Sequence, residues 1–181
     1  MSNHLHNSKI ANRYAKALFE ISAAAEADAV VLESLQNFAK IVADCPDLMK
    51  FLTNPVIPSD EKLALLTEQF KGNVPEHVWG LLRLLLHNER FGTLLAVIEQ
   101  FEALYNKRHF IANAQVTAAS PLNPQQEEKL AQQLENLFGY KTVRVQTQVD
   151  PEILGGLVVK LSDQIIDGSY AGKLAALAKT T

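Results

Sequence analysis

Hydrophobic residues recur at helical spacing through the first hundred residues, in segments separated by short turns. Two of these apolar faces comprise Ile10, Tyr14, Ala17, Leu18 and Ile21, and then Val31, Leu35, Phe38 and Val42. Residues three, four and seven positions apart share one face of an α-helix. Four further segments follow, with Pro46 ending the second helix and Gly72 closing the fourth. The pattern predicts an N-terminal six-helix bundle with short connections.

After Phe110 the hydrophobic period changes from helical spacing to two. Apolar residues alternate in IANAQVTAAS and TVRVQTQV, and short apolar runs follow in GGLVVKL and QIID. Between them, Asn123 and Pro124 are typical of a helix start and Gly139 of a helix end. The sequence therefore predicts an α+β protein of two domains: the bundle over residues 1–107 and a small mixed α/β C-terminal domain over residues 108–181.

The predicted fifth helix, VWGLLRLLLH, is apolar around most of its circumference, interrupted by Gly80 and Arg83. A helix at the edge of a bundle normally has one apolar stripe. Two interpretations remain open: the helix is central and buried on all sides, or a partner protein covers a second stripe. The small residues Ala11, Ala15 and Ala17 raise the same question for the first helix, since a foreign helix could approach them closely.

The segment GGLVVKLSDQIIDGSYAGKL contains the best acid–base candidates, Asp163 and Asp167. A catalytic role would require the two carboxylates to converge on one pocket. The structural interpretation places Asp163 in a turn between two strands, and Asp167 before a helix that begins near Gly168 and Ser169. Gly155 and Gly156 would form a corner whose backbone needs positive φ. The structural interpretation is favoured for both aspartates and for the glycine pair.

Composition and charge narrow the classes of function. The net charge of −3 and the scattered basic residues argue against nucleic-acid binding. No phosphate-binding motif and no paired metal-ligand spacing occur, so we expect no cofactor, nucleotide or metal. The apolar runs are too short to span a bilayer, and the N-terminal residues lack the character of a targeting signal. The single cysteine, Cys45, precludes an intrachain disulfide and is expected to be a packing residue.

Several segments together resemble the delta subunit of the F-type ATP synthase, the oligomycin-sensitivity-conferring protein family. ANRYAKALFE at 11–20 resembles the family's first helix, and the segment from Gly155 resembles its C-terminal signature. Further similarities lie in HNERF at 87–91, VTAASPL at 116–122 and VDPEILGG at 149–156. Within the signature, Ser162 stands where many members have glycine, and Ala171 where a basic residue is common.

The resemblance implies a non-catalytic stator subunit on the cytoplasmic face of the bacterial plasma membrane, associated with the membrane only through the complex. The helical domain would hold the N-terminal segment of an alpha subunit on the alpha/beta head, and the C-terminal domain would engage the b subunits of the peripheral stalk. Carried over by position, the alpha-binding groove comprises Tyr14, Ala17, Leu18, Ile21, Gly80, Leu84 and His87. The alternatives are an unrelated helical adaptor and a small enzyme using Asp163 and Asp167.

Overall fold

The computed structural model describes residues 2–151, 153, 155–161 and 164–167, without the side chains of residues 2–7, 164 and 167. These residues form an α+β protein with seven α-helices, a short 3-10 helix and one mixed four-stranded sheet. The α-helices are Ser2–Ala24 (α1), Asp28–Asp44 (α2), Pro46–Thr53 (α3), Ser59–Phe70 (α4), Glu76–His87 (α5), Leu94–His109 (α6) and Pro124–Phe138 (α7). The strands are Ile111–Ala118 (β1), Thr142–Val149 (β2), Leu157–Leu161 (β3) and Gln164–Asp167 (β4), and the 3-10 helix is Phe91–Thr93.

The chain divides into two compact units, Met1–Tyr105 and Asn106–Thr181. The division falls within α6, a few residues before the change of hydrophobic period. α6 thus continues beyond the predicted end at Lys107, to His109. Its last turn carries three basic residues, Lys107, Arg108 and His109, which are favourable beside the partial negative charge of a helix C-terminus.

The core of the first unit is built from the apolar faces of α1 to α6. In α2, the predicted face is confirmed because Val31, Leu35, Phe38 and Val42 are all buried. The ring of Phe38 lies 4.9 Å from that of Phe70 and 6.3 Å from that of Phe91, measured between centroids. Aromatic contacts of this kind join α2, α4 and the 3-10 helix into one core.

Helix α1 differs from its predicted face. Its buried positions are Ala11, Ala15, Leu18 and Ser22, whereas Ile21 is 54% exposed. Ala11 and Ala15 are therefore core residues, and their small size permits close approach of neighbouring helices. The helix begins at Ser2. Cys45, which was expected to be a packing residue, is exposed.

Helix α5 is buried over most of its circumference. Six of its twelve residues are buried: Val78, Trp79, Leu81, Leu82, Leu85 and Leu86. The exposed residues in the middle and end of the helix are Gly80, Arg83, Leu84 and His87, at the spacing of a single helical stripe. The interpretation of central burial accounts for most of the apolar character. Central burial does not account for Leu84, a large apolar side chain that is 47% exposed.

The second unit contains a sheet with the strand order β2-β1-β3-β4. β1 pairs with β2 in parallel through the α7 crossover, and the β1–β3 and β3–β4 pairs are antiparallel. One face of this sheet forms the second core with α7, with Ala112, Val116 and Val159 among its buried residues. α7 starts with a capping box between Asn123 and Gln126 and ends at a left-handed Gly139. Within α7 the buried residue is Leu134, whereas Leu137 is 70% exposed.

The glycine pair before β3 adopts the backbone conformation that the sequence predicted. Gly155 has φ 148° and Gly156 has φ 87°, values that favour glycine. β3 and β4 pair in the expected antiparallel sense, and Asp167 is the last residue of β4, opposite Val158. Asp163, Gly168 and Ser169 lie outside the described residues, as do Ser162, Ala171 and the predicted last helix.

Candidate partner-binding grooves beside helix α5

Two surface grooves flank the exposed Leu84 of α5. The α1–α5 groove has a volume of about 290 Å³ and is lined by Ile10, Arg13, Tyr14, Ala17, Leu84 and Arg90. The α4–α5 groove has a volume of about 360 Å³ and is lined by Ser59, Asp60, Leu63, Gly80, Arg83, Leu84, Leu86 and His87. Leu84 lines both grooves and therefore forms the ridge between them.

Hydrogen bonds fix one wall of the α1–α5 groove. The hydroxyl oxygen of Tyr14 accepts hydrogen bonds from Asn88 Nδ2 at 3.2 Å and from the Arg90 guanidinium at 3.5 Å. These bonds connect α1 to the chain that follows α5. Glu89 between them has φ 55°, and the backbone N–H of Arg90 donates to the carbonyl of Leu85 at 2.8 Å. The HNERF segment is thus the turn that places Arg90 beside Tyr14.

The predicted site residues fall into three groups. Tyr14, Ala17 and Leu84 line the α1–α5 groove, whereas Gly80 and His87 line only the α4–α5 groove. Leu18 is 5% exposed and belongs to the core. Ile21 is exposed on α1 but lines neither groove. The seven residues therefore do not form one continuous groove, because α5 presents Gly80 and His87 on the far side of the Leu84 ridge.

Sequence reasoning missed three residues of the α1–α5 groove: Ile10 was assigned to the core face, and Arg13 and Arg90 were not assigned. One strip of the α1 surface contains residues at intervals of three, one and three, namely Ile10, Arg13, Tyr14 and Ala17. That spacing was a usable signal for the α1 side. Arg90 could not be found in this way, since its position depends on the turn after α5.

Charge distinguishes the two grooves. Two arginines, Arg13 and Arg90, line the α1–α5 groove together with the apolar Ile10, Ala17 and Leu84. The α4–α5 groove contains Asp60 as well as Arg83 and His87. An apolar floor with a basic rim suits an amphipathic helix that carries acidic residues beside its apolar face. The α1–α5 groove offers such a surface.

A side chain could be added at Gly80 without disturbing the fold. A Cβ atom built there meets no atom within 4 Å, apart from its chain neighbours and the backbone of its own helix. The missing side chain of Gly80 therefore leaves the α4–α5 groove open at this point, and a substitution there adds bulk to the groove rather than to the core.

Neither a metal centre nor a membrane span is found in the described part of the chain. No group of three or more His, Cys, Asp or Glu residues among residues 2–151, 153, 155–161 and 164–167 could hold a metal ion. Within the same ranges, no helix combines the length and apolar character needed to cross a bilayer.

Comparison with known families adds the decisive observation. The sequence model of the family described as ATP synthase delta (OSCP) subunit matches residues 10–180. The chain belongs to this family. It is accordingly a non-catalytic stator component of the ATP synthase peripheral stalk, and neither the helical adaptor nor the enzyme using Asp163 and Asp167 is supported.

Curated relatives agree over nearly the whole chain. The ATP synthase subunit delta of Halalkalibacterium halodurans is 33% identical over 98% of this chain and 94% of its own length. That of Brevibacillus brevis is 34% identical, covering 96% of this chain and 98% of its own. The corresponding protein of Chlorobaculum tepidum is 34% identical over 91% of each. The segments that resemble the delta family therefore belong to a similarity that extends over at least 91% of this chain.

A solved structure shows the same fold. One chain of the cryo-EM structure of the Toxoplasma gondii mitochondrial ATP synthase hexamer matches with a TM-score of 0.71 and 22% identity. The match covers 94% of this chain and 96% of that chain. The α+β architecture is thus shared with a chain of an ATP synthase assembly.

Proposed function

We propose that the first unit of this delta family member holds the N-terminal segment of an alpha subunit in the α1–α5 groove. The observation that carries this proposal is the apolar strip of Ile10, Ala17 and the half-exposed Leu84, beside a rim of two arginines. An amphipathic helix would cover the apolar strip and place acidic side chains near Arg13 and Arg90. Gly80 and His87 would make a second, weaker contact if the partner extends across the Leu84 ridge.

The six helices over residues 1–107 act, in this proposal, as one bundle attached to the alpha/beta head, at the cytoplasmic face of a bacterial plasma membrane. Residues 108–181 engage the ends of the peripheral-stalk b subunits. The support is that each unit has a hydrophobic core of its own. Two such units, each attached to a different partner, would join head to stalk and resist the torque of the rotor.

A calorimetric titration tests the alpha-binding proposal. The probe is a synthetic peptide of the alpha subunit's N-terminal segment from the same organism, added to the full chain. We expect saturable binding of one peptide per chain, with a negative heat capacity change from apolar burial. Affinity should fall as salt is raised, because the arginine rim contributes. A peptide of scrambled sequence is the control, and the absence of saturable heat would contradict the proposal.

A further inference from the structure

The polar side chains that line the α1–α5 groove present hydrogen-bond donors to a partner. They belong to Arg13, Tyr14 and Arg90, and the rest of the described lining is apolar. A guanidinium group has five N–H donors and no acceptor. The hydroxyl oxygen of Tyr14 is the one side-chain acceptor in this lining, and it already accepts from Asn88 and Arg90. The groove therefore offers donors and positive charge, and a partner has to supply the acceptors.

The hydroxyl proton of Tyr14 takes no part in these two hydrogen bonds. Asn88 Nδ2 and the Arg90 guanidinium are themselves donors, so neither can accept the proton. Among the residues that the structure describes, no other side chain is hydrogen-bonded to this hydroxyl. Tyr14 is half-buried at the surface, where water is an acceptor for the proton in the free chain. A helix seated in the groove would displace that water, and binding would weaken unless the helix brought an acceptor of its own.

The charges beside the Tyr14 hydroxyl favour a carboxylate as that acceptor. Throughout the described residues, neither Arg13 nor Arg90 forms an ion pair. The contact from Arg90 to Tyr14 measures 3.5 Å, which is long for a hydrogen bond, so the other N–H groups of the guanidinium stay available. The hydroxyl and the guanidinium thus lie side by side, as the two oxygens of one carboxylate require.

A backbone carbonyl of the partner is a poorer match than a carboxylate. The carbonyl groups within an α-helix already accept hydrogen bonds from the N–H groups of the same helix. They also carry no net charge, whereas the groove has two arginines and no acidic residue in its described lining. An acidic side chain beside the apolar face of the partner helix satisfies both requirements.

We infer that one carboxylate of the alpha N-terminal segment accepts a hydrogen bond from the Tyr14 hydroxyl and pairs with Arg90. The inference rests on the alpha-binding proposal and assigns Tyr14 a role in specificity. Attraction to Arg13, which is exposed at the rim, depends little on where the acidic residues lie. A hydrogen bond from Tyr14 is directional, so it requires an Asp or Glu at one position of the partner helix.

A double-mutant cycle tests this pairing by calorimetric titration of the full chain. Each Asp and Glu of the alpha peptide is replaced in turn by alanine, and every peptide is titrated into the unchanged protein and into Tyr14→Phe. We expect Tyr14→Phe to bind the unchanged peptide about tenfold more weakly, as for loss of a hydrogen bond to a charged group. The same loss should appear with every alanine peptide except one. With that peptide the two proteins should differ by less than about twofold.

Two control variants separate the proton from other effects of the substitution. Tyr140→Phe makes the same chemical change at a half-buried tyrosine of the second unit and should leave the affinity unchanged. Asn88→Ala removes a donor to the Tyr14 oxygen but keeps the Tyr14 proton, so its affinity should fall less than about threefold. Thermal unfolding of each variant checks that the first unit stays folded.

The outcomes distinguish this inference from the alpha-binding proposal. Saturable binding of the unchanged peptide with an equal loss for Tyr14→Phe against every alanine peptide would overturn the inference alone, because no single carboxylate would receive the proton. Equal losses for Asn88→Ala and Tyr14→Phe would overturn it as well, since the bonds within the chain would explain the effect. The absence of saturable binding to the unchanged protein would instead contradict the alpha-binding proposal itself, and the inference with it.

Discussion

Replacing Ala17 with tryptophan should weaken binding of the alpha N-terminal peptide at least about 100-fold, or about 2.8 kcal/mol. Ala17 is exposed on α1 and lines the α1–α5 groove, so the indole would occupy space that the partner helix needs. The fold should be little affected, because the side chain points away from the core and tryptophan costs only a few tenths of a kcal/mol in an exposed helix. Calorimetric titration measures the affinity, and thermal unfolding checks the fold.

Two further variants sharpen this result. Ala43→Trp, at an exposed position of α2 outside both grooves, is the matched control and should bind normally. Gly80→Trp places the same bulk on the other side of the Leu84 ridge. If it weakens binding less than Ala17→Trp, the partner lies mainly between α1 and α5. Normal affinity for Ala17→Trp would contradict the assignment of the groove.

Replacing Val116 with aspartate should unfold the second unit and abolish binding of the stalk b subunits. Val116 is fully buried in β1, which lies between β2 and β3. Burying an unpaired carboxylate there costs several kcal/mol, comparable to the whole stability of a small domain. The protein's one tryptophan, Trp79, lies in the first unit, so its fluorescence reports that unit alone. The emission and the alpha peptide affinity should be unchanged.

The neighbouring residue supplies the control for the second unit. Gln115→Asp adds the same charge on the exposed face of the same strand and should retain b binding. If the first unit binds the alpha peptide and the second unit binds the b subunits, only Val116→Asp should abolish b binding while alpha binding is retained. Stoichiometric b binding by an unfolded second unit, or loss of alpha binding with an unchanged Trp79 signal, would refute that division.

Much of the fold could be predicted because local signals and burial agree. The change of period after Phe110 indicated where strands replace helices, and Asn123 and Gly139 marked both ends of α7. The prediction was wrong where small residues form the core. In α1, Ala11 and Ala15 are fully buried while Ile21 is exposed, since close helix packing selects for size as well as hydrophobicity.

The candidate site was harder to predict because it depends on tertiary placement. Gly80, Leu84 and His87, which were carried over from the family resemblance, lie on one exposed stripe of α5. The sequence did not indicate that Leu84 divides this stripe between two grooves. The contribution of Arg90 depends on its hydrogen bond with Tyr14, which joins residues far apart in sequence.

Cysteine protection in the assembled ATP synthase tests most directly whether a partner covers the α1–α5 groove. The exposed Cys45 is first replaced by serine, and Ala17→Cys or Ala43→Cys is then introduced as the only thiol. The rate of maleimide labelling is compared between the free chain and the complex. We predict that assembly slows labelling at Ala17→Cys about tenfold or more, because a seated helix excludes reagent and water, and leaves Ala43→Cys unchanged. Equal labelling of Ala17→Cys in both states would contradict the account.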